Sequence, residues 1–155
     1  MAELSNGNIL MLIRGKHGIG MALSTDGART WSRPVDSGLG GPCSRFCLRR
    51  LKSGRLLLVN HWNFHQRNNL TAMLSEDDGK TWKGFLMLDE RKDVSYPDCA
   101  ESADGTLYII YDHERYGAKE ILMAKVTEQD ILAGTLKSPA SALKMVLNRA
   151  GDTNA

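Results

Sequence analysis

Three short apolar runs recur along the chain, and each follows a turn that contains a glycine. They cover residues 9–13, 56–59 and 107–111. Short apolar segments bounded by turns are typical of buried β-strands. A second strand-like run follows each of them, at 19–23, 70–74 and 120–126. The pattern therefore predicts an all-β chain in which a similar strand unit occurs three times.

An eight-residue motif follows the first two strand units, at 24–31 and 75–82. Both copies contain a serine, an aspartate two positions later, a glycine and a final Thr-Trp pair. In a turn between strands, the aspartate can accept hydrogen bonds from backbone N–H groups, and the glycine supplies a positive φ. The tryptophan packs between neighbouring elements. The copies lie about 50 residues apart, which suits one blade of a β-propeller per repeat.

The aspartates of this motif, Asp26 and Asp77, have two interpretations. They are candidates for catalytic carboxylates, but a residue that recurs once per repeat is more simply explained as part of the scaffold. The first copy differs from the second at Ala28, which stands in the place of Gly79. The third repeat lacks the motif, and there Thr127 is predicted to cap a short helical turn.

The composition narrows the classes of function. The 155 residues carry a net charge of +2, and 25% of them are charged, which indicates neither a nucleic acid nor a membrane as partner. No apolar run reaches transmembrane length, and the first residues do not read as a secretion signal. Cys43, Cys47 and Cys99 lack the spacing of a zinc site. They are predicted to be free buried thiols, which weakly favours the cytoplasm and leaves the localisation open.

The length corresponds to roughly three blades, whereas propellers close a ring of about four to eight. We therefore expect residues 1–136 to form part of a propeller. The ring would be completed by a second copy of the chain in a homodimer, or by a missing N-terminal half. Residues 137–155 are polar and rich in small side chains. They are predicted to form a C-terminal tail whose last residues are disordered.

Arg14, Arg67 and Tyr96 are the candidate site residues. Each lies at the end of a predicted strand or just before one, and the loops at one end of a propeller converge on its central channel. Two guanidinium groups bind a carboxylate through paired hydrogen bonds, and a phenol beside them adds a nucleophile. Taken singly, each has a structural alternative, either a solvated surface arginine or a tyrosine packed at the turn before Pro97.

These features resemble the sialidase (neuraminidase) superfamily, in which the repeated motif is called the Asp-box or BNR repeat. The resemblance is to the C-terminal half of an exo-α-sialidase and covers residues 43–112. It is carried by segments 48–57, 67–71, 75–82, 95–98 and 104–111. It implies a six-bladed, all-β propeller and a glycoside hydrolase that releases a terminal α-linked sialic acid, or a related acidic sugar, from a glycan. It implies no metal and no organic cofactor.

By this resemblance, the second and third carboxylate-binding arginines of the family fall on Arg14 and Arg67, and the nucleophile falls on Tyr96. The order of arginine, Asp-box and tyrosine is also that of the family. Sialic acid carries a carboxylate on its anomeric carbon, which would repel an anionic nucleophile. A neutral phenol avoids that repulsion, and sialidases with a tyrosine nucleophile are a recognised exception among glycosidases.

Three catalytic residues of the family have no counterpart in this sequence. The first arginine, the acid/base aspartate and the glutamate that activates the tyrosine belong to the N-terminal half of the family's fold. Glu3 lies near the place of that glutamate, but at a later strand position. We therefore expect the isolated chain to be an inactive, incomplete sialidase-like hydrolase. The alternative is a carbohydrate-binding or structural Asp-box propeller without catalysis.

Two smaller differences concern the site itself. Pro97 replaces a serine, and Asp112 replaces a glutamate, that are usual in the family; these changes indicate a divergent branch. Structural roles explain the remaining polar and aromatic candidates near the channel at least as well as sugar contacts do. These secondary candidates are Arg45, Asn60, His61, Trp62 and His65.

Overall fold

The computed structural model describes residues 1–16, 18–62 and 66–151, which form three four-stranded antiparallel sheets and one short helix. The first sheet contains β1 (Ala2–Glu3), β2 (Ile9–Gly15), β3 (Gly18–Ser24) and β4 (Val35–Leu39). The second contains β5 (Cys47–Arg50), β6 (Leu56–His61), β7 (Leu70–Ser75) and β8 (Lys83–Asp89). The third contains β9 (Val94–Glu101), β10 (Leu107–His113), β11 (Glu120–Val126) and β12 (Ala142–Arg149), and α1 (Glu128–Ala133) precedes β12. The predicted all-β architecture of three four-stranded blades is confirmed.

Each predicted apolar run forms the second strand of a sheet, and the run after it forms the third. In the second sheet, β6 and β7 pair from Leu56 opposite Ser75 to His61 opposite Leu70. Every residue of these two strands is buried. The reason is that the second sheet lies between the other two and is covered on both faces, which explains why its strands are apolar without alternation.

The main core lies between the second and third sheets, and a smaller cluster joins the first sheet to the second. Leu57 and Val59 of β6 contribute to the main core together with Ile109 of β10. Leu56, which points to the other face of β6, packs instead with Leu10 of β2. Burying a leucine or isoleucine side chain contributes about 2 kcal/mol each. The alternate residues of one strand thus hold two neighbouring sheets.

The two Asp-box turns are closed by their own aspartates. The Asp26 carboxylate accepts hydrogen bonds from the Thr30 backbone N–H at 2.9 Å and from the Thr30 hydroxyl at 2.6 Å. Asp77 makes the same pair of contacts with Thr81, at 2.8 and 2.6 Å. These hydrogen bonds lower the pKa of both aspartates, that of Asp26 to about 2. The predicted scaffold role is confirmed, because each carboxylate is occupied within its own loop.

The substitution of Ala28 for glycine leaves a strained residue in the first turn. Ala28 has φ 67°, the left-handed conformation that Gly79 adopts in the second turn at φ 87°. The neighbouring Gly27 has a positive φ of 71°, as its counterpart Asp78 has in the second turn. Gly27 therefore does not spare Ala28 the left-handed conformation. An alanine in this region costs about 1–2 kcal/mol relative to a residue without a Cβ.

The predicted helical turn after the third repeat is present. Thr127 caps α1, and its side chain accepts a hydrogen bond from the Asp130 backbone N–H in a capping box. Gly134 ends the helix at φ 66°. The buried carboxylate of Asp130 also accepts the backbone N–H of Ser138 at 3.1 Å. The helix therefore anchors the segment that leads to β12.

The prediction of three free buried thiols is wrong. Cys47 on β5 and Cys99 on β9 form a disulfide, with their Cα atoms 6.6 Å apart, and Cys43 is the exposed free cysteine. The two partners are 52 residues apart in sequence, and only the contact between the first strands of adjacent sheets brings them together. The observation that favoured a reducing compartment is thereby removed.

The segment predicted as a polar tail contains a strand. β12 pairs with β11 as the outer strand of the third sheet, and Leu143 packs against the main core. An ion pair between Arg149 and Glu120 at 2.5 Å fixes the far end of this pairing. Residues 152–155, the end of that tail, lie outside the described residues. The described part of the chain contains no helix long and apolar enough to cross a membrane.

Candidate functional site

The three residues predicted for the site converge from three sheets. Arg14 lies near the end of β2, Arg67 in the loop between β6 and β7, and Tyr96 near the start of β9. The guanidinium carbon of Arg67 is 5.5 Å from the centre of the Tyr96 ring. Arg14 and Tyr96 line the same small pocket, and Arg14 contributes to a lowered pKa of Tyr96. These strand ends meet because the first strands of the three sheets lie side by side, β1 against β5 and β5 against β9.

A third arginine, which the sequence analysis did not identify, lies closer to the tyrosine than Arg67 does. The guanidinium carbon of Arg115, in the loop after β10, is 4.4 Å from the centre of the Tyr96 ring. The sequence repeat contains a signal for this residue. Arg115 follows the second strand of the third sheet, and Arg14 lies near the end of the second strand of the first sheet.

The position of Arg115 is fixed by a short chain of hydrogen bonds. The Asp112 carboxylate accepts the Nε–H of Arg115 at 3.0 Å and pairs with a second guanidinium nitrogen. The Ser95 hydroxyl donates to the other oxygen of Asp112 at 2.6 Å. Ser95 is buried and precedes Tyr96 in β9. The arginine and the tyrosine are therefore held by the same two strands.

The arginines change the acidity of the phenol. Hydrogen bonds from Arg14 and Arg115 lower the pKa of Tyr96, and the positive charges of Arg67 and Arg115 act in the same direction. Burial opposes this effect. A group that stabilises the anion favours the ionised form, so the Tyr96 phenol loses its proton more readily than an ordinary tyrosine does.

The backbone at Tyr96 has an uncommon conformation. Its φ is 56°, in the left-handed region that bulky residues seldom adopt. The pairing of β9 with β10 shifts at this point, because Asp98 lies opposite Ile110 while Ser95 lies opposite Asp112. Two residues of β9, Tyr96 and Pro97, thus oppose one residue of β10, which is a β-bulge. A bulge redirects a side chain, and a proline is tolerated there because it has no N–H to pair.

A small pocket of about 270 Å³ adjoins the tyrosine and is lined by Arg14, Arg45, Phe46 and Tyr96, with Leu12. Arg45, a secondary candidate, therefore lies next to the site. Its guanidinium group also pairs with an aspartate of β9, at 3.2 Å from the carboxylate. This part of the site carries an excess of positive charge and an apolar wall.

The other secondary candidates do not join this group. His61 is fully buried, and its Nε2 lies 2.8 Å from the Val94 carbonyl oxygen. Burial lowers the pKa of His61, so it is a neutral structural residue. Asn60 donates to the Gly40 carbonyl oxygen at 2.8 Å. The exposed ring of Trp62 lies 4.8 Å from another aromatic ring, and His65 lies outside the described residues.

A metal ion has no evident place beside the tyrosine. Among the described residues, the group with suitable ligand spacing is Cys47, Asp98 and Cys99. The two sulfur atoms of this group are joined in the disulfide, which removes the thiolates that a soft metal would need.

Solved structures with a similar fold include a trans-sialidase and an arabinofuranosidase. The intramolecular trans-sialidase of Ruminococcus gnavus, in complex with oseltamivir carboxylate, is 19% identical with a TM-score of 0.67; the match covers 84% of this chain and 32% of that one. A protein of unknown function from Dyadobacter fermentans is 17% identical with a TM-score of 0.59, over 87% and 47% of the two chains. An α-L-arabinofuranosidase from Fusarium graminearum, in complex with an iminosugar inhibitor, is 18% identical with a TM-score of 0.53, over 81% and 44%.

The chain spans about a third to a half of the length of these proteins. At such low identity the likeness concerns the fold. No curated protein matches the chain in sequence. The model of the BNR repeat-like domain family matches residues 1–109, which include both Asp-boxes, Arg14, Arg67 and Tyr96. The chain therefore belongs to the BNR repeat-like domain family.

Proposed function

We propose that this chain carries the arginine and tyrosine half of a glycosidase site that acts on a terminal α-linked sialic acid or a related acidic sugar. The observation that carries the proposal is the convergence of Arg14 and Arg67 on Tyr96: Arg14 lines one pocket with the tyrosine, and the Arg67 guanidinium carbon lies 5.5 Å from its ring centre. Two cations beside a phenol suit a sugar that holds its carboxylate on the reacting carbon. Membership of a sialidase-like family supports the same class of substrate.

In this proposal the arginines bind the substrate carboxylate and place the anomeric carbon over the Tyr96 oxygen. The phenol oxygen attacks that carbon as the bond to the leaving-group oxygen breaks; the phenol proton passes to water, and the leaving-group oxygen takes a proton from an acid that has no counterpart in this sequence. Water then breaks the new aryl–sugar bond, so the configuration at the anomeric carbon is retained. The arginines act by position and charge, since they do not lose a proton near neutral pH.

The lowered pKa of Tyr96 supports its role as the nucleophile. In the related enzymes that the sequence resembles, a carboxylate activates the tyrosine. On this chain, Arg14 and Arg115 stabilise the phenolate directly. An acid that protonates the leaving-group oxygen is still required, and the family's aspartate for that step has no counterpart in this sequence. We therefore expect the chain alone to bind the sugar without turning it over.

A binding experiment tests the carboxylate site. The methyl α-glycoside of sialic acid is titrated into the chain by ligand-observed NMR, with the uncharged methyl ester of the same sugar as matched ligand. We expect Arg14→Gln and Arg67→Gln each to weaken binding of the acid by roughly tenfold or more, the range for charge-assisted hydrogen bonds. The exposed Arg29, whose substitution Arg29→Gln leaves this site intact, is the control. Equal binding of acid and ester would contradict the proposal.

Turnover is measured on the same sample with a fluorogenic sialoside, and the oligomeric mass is measured by light scattering. A monomer without activity is the expected result. A dimer with activity would mean that two copies supply the missing groups to each other. A monomer that releases sialic acid would overturn the expectation that the chain is incomplete. If the protein forms an oligomer that binds the sugar but does not hydrolyse the sialoside, the non-catalytic alternative is favoured.

A further inference from the structure

The disulfide between the second and third sheets lies beside a carboxylate. Cys47, Asp98 and Cys99 each place one ligand atom within 4.8 Å of the others. In a tetrahedral zinc site, with Zn–S bonds of about 2.3 Å and Zn–O bonds of about 2.1 Å, neighbouring ligand atoms lie roughly 3.5–3.8 Å apart. Two thiolates and a carboxylate are ligands that zinc accepts. Once the bond between the sulfur atoms is broken, small side-chain movements give these residues the spacing of a metal site.

Contacts other than the disulfide also hold these two strands side by side. The Arg49 side chain, on β5, donates a hydrogen bond to the Cys99 carbonyl oxygen on β9 at 2.9 Å. Just after β5, the Lys52 backbone N–H donates to the Glu101 carboxylate at the end of β9, also at 2.9 Å. The thiols of the reduced chain therefore remain neighbours, because the backbones that carry them stay in place.

The group of three ligands has one side open to solvent. Cys47 and Cys99 are buried, whereas Asp98 is exposed. A cation can therefore approach the sulfur atoms from the side of the carboxylate, and a water molecule can complete four-fold coordination. The Cys99 backbone N–H donates to the Asp98 carboxylate at 2.9 Å, which orients that ligand in the way that hydrogen bonds around metal sites do.

One arginine competes with a cation for the carboxylate. The Arg45 guanidinium group lies 3.2 Å from the Asp98 carboxylate, and both side chains are more than half exposed. An exposed ion pair of this kind contributes little free energy, so a cation that also binds two thiolates can displace it. Removing the arginine should therefore strengthen metal binding, whereas removing any of the three ligands should weaken it.

We propose that reduction of the disulfide creates a site for a thiol-binding divalent cation, zinc in particular, with Cys47, Asp98 and Cys99 as its protein ligands. A dithiol carries out the reduction: it passes two electrons and two protons to the two sulfur atoms and itself becomes a disulfide. The cation then displaces the two thiol protons. The disulfide and the cation are thus alternative links between β5 and β9. The inference is independent of the proposed function, because none of the three ligands is assigned to the sugar.

The test uses Co²⁺ as a spectroscopic probe and Zn²⁺ as its competitor. The chain is reduced without air by a water-soluble phosphine, which becomes its oxide and leaves no competing thiol. We expect the reduced chain to bind a single Co²⁺ with the near-ultraviolet absorbance of cobalt–thiolate bonds, and Zn²⁺ to remove that absorbance. The oxidised chain should show none. Asp98→Asn should weaken binding roughly tenfold or more, and Arg45→Gln should strengthen it. Cys43→Ser, which removes the exposed free thiol, is the matched control and should change nothing.

Thermal unfolding followed by circular dichroism gives a second measurement, because a ligand that binds the folded chain raises its unfolding temperature. Zn²⁺ should raise the unfolding temperature of the reduced chain and leave that of the oxidised chain unchanged. An equal rise in both forms would place the zinc elsewhere. The proposal is also overturned if the reduced chain loses its strands or shows no cobalt–thiolate absorbance, or if that absorbance survives in Cys99→Ser. Its loss in Cys43→Ser would assign the metal to a different set of sulfur atoms.

Discussion

At the scale of single residues, the unusual feature is a tyrosine surrounded by cations. Arg67 and Arg115 lie within 5.5 Å of the Tyr96 ring centre, and Arg14 reaches its side chain. An arginine cannot take the phenol proton, but it stabilises the charge that remains after the proton has left. The arginines therefore stabilise the phenolate of Tyr96 through electrostatics.

The first prediction concerns the titration of Tyr96. A tyrosine usually ionises with a pKa near 10, and the pKa of Tyr96 is lowered. In a titration towards high pH, Tyr96 should therefore ionise before an ordinary tyrosine does. Ultraviolet absorbance of phenolate should show an early ionisation step that Tyr96→Phe removes. Arg115→Gln should move that step back towards the usual value. Burial beside Asp89 raises the pKa of Tyr111, so Tyr111 does not interfere.

The control for this titration is Arg29→Gln, which changes an exposed arginine in the first Asp-box. It should leave the early step where it is. An early step that survives in Tyr96→Phe would assign the perturbed phenol elsewhere and contradict this description of the site.

Three of the four residues in the cluster could be predicted from the sequence, whereas the fourth, Arg115, left only the weak signal of its place after the second strand of its sheet. Arg14, Arg67 and Tyr96 match motifs of known order around an Asp-box. Arg115 contacts the tyrosine through a turn and a β-bulge, whose geometry depends on how Tyr96 and Pro97 oppose a single residue of β10. Neither hydrophobic pattern nor spacing records such a local shift in register.

At the scale of elements, the two Asp-box turns provide an internal comparison. Both close through the same pair of contacts between an aspartate and a threonine. They differ at the usual glycine position, where Ala28 has φ 67° and Gly79 has φ 87°. The turn is therefore specified by the aspartate, and the glycine only lowers its conformational cost.

The second prediction follows from this pair of turns. Ala28→Gly should raise the free energy of unfolding by about 1 kcal/mol, because it removes a Cβ from a left-handed residue. Gly79→Ala should lower it by at least as much, because a Cβ there would also lie 3.3 Å from a methyl carbon of Leu10. Urea unfolding curves measure both changes. Shifts in the same direction for the two variants would show that backbone strain is not the cause.

Strands with a strong local hydrophobic pattern were predictable from the sequence, whereas the last strand, β12, was not. The two central strands of the second sheet, β6 and β7, are mostly apolar and buried throughout because two other sheets cover them, and this gives a clear signal. β12 has a mixed polar and apolar sequence and is largely exposed. Its place depends on pairing with β11 and on the contact between Arg149 and Glu120, which are long-range interactions that composition does not reveal.

At the scale of the whole molecule, the sheets are joined along their first strands. The disulfide between Cys47 and Cys99 connects β5 to β9, and Tyr96 lies on the same strand as Cys99, three positions away. The covalent bond therefore links the second sheet to the strand that carries Tyr96. The closure of a full ring by a second copy or by a further half stays a prediction.

The third prediction concerns this disulfide. It closes a loop with a sequence separation of 52 residues, for which chain entropy predicts a contribution of about 4 kcal/mol to stability. Replacing both cysteines, Cys47→Ser with Cys99→Ser, should lower the free energy of unfolding by an amount of that order. Cys43→Ser, at an exposed position, should leave the stability unchanged.

A thiol count on the denatured chain is the direct check. Without reductant, only Cys43 should react, and all three cysteines should react after reduction. Three reactive thiols in the unreduced protein would mean that the two sheets are joined by packing alone.

The central claim is that Tyr96 is the nucleophile of a site for sialic acid, and covalent trapping tests it most directly. A sialosyl fluoride that carries a second fluorine beside the anomeric carbon has a leaving group that needs no acid catalyst, so the chain can react without the missing half. The phenol oxygen displaces fluoride, and the second fluorine slows release of the sugar. Mass spectrometry should find one added fluorosialosyl group, on the peptide that contains Tyr96, and none in Tyr96→Phe. A label on another residue, or no label at a ligand concentration that saturates binding, would contradict the claim.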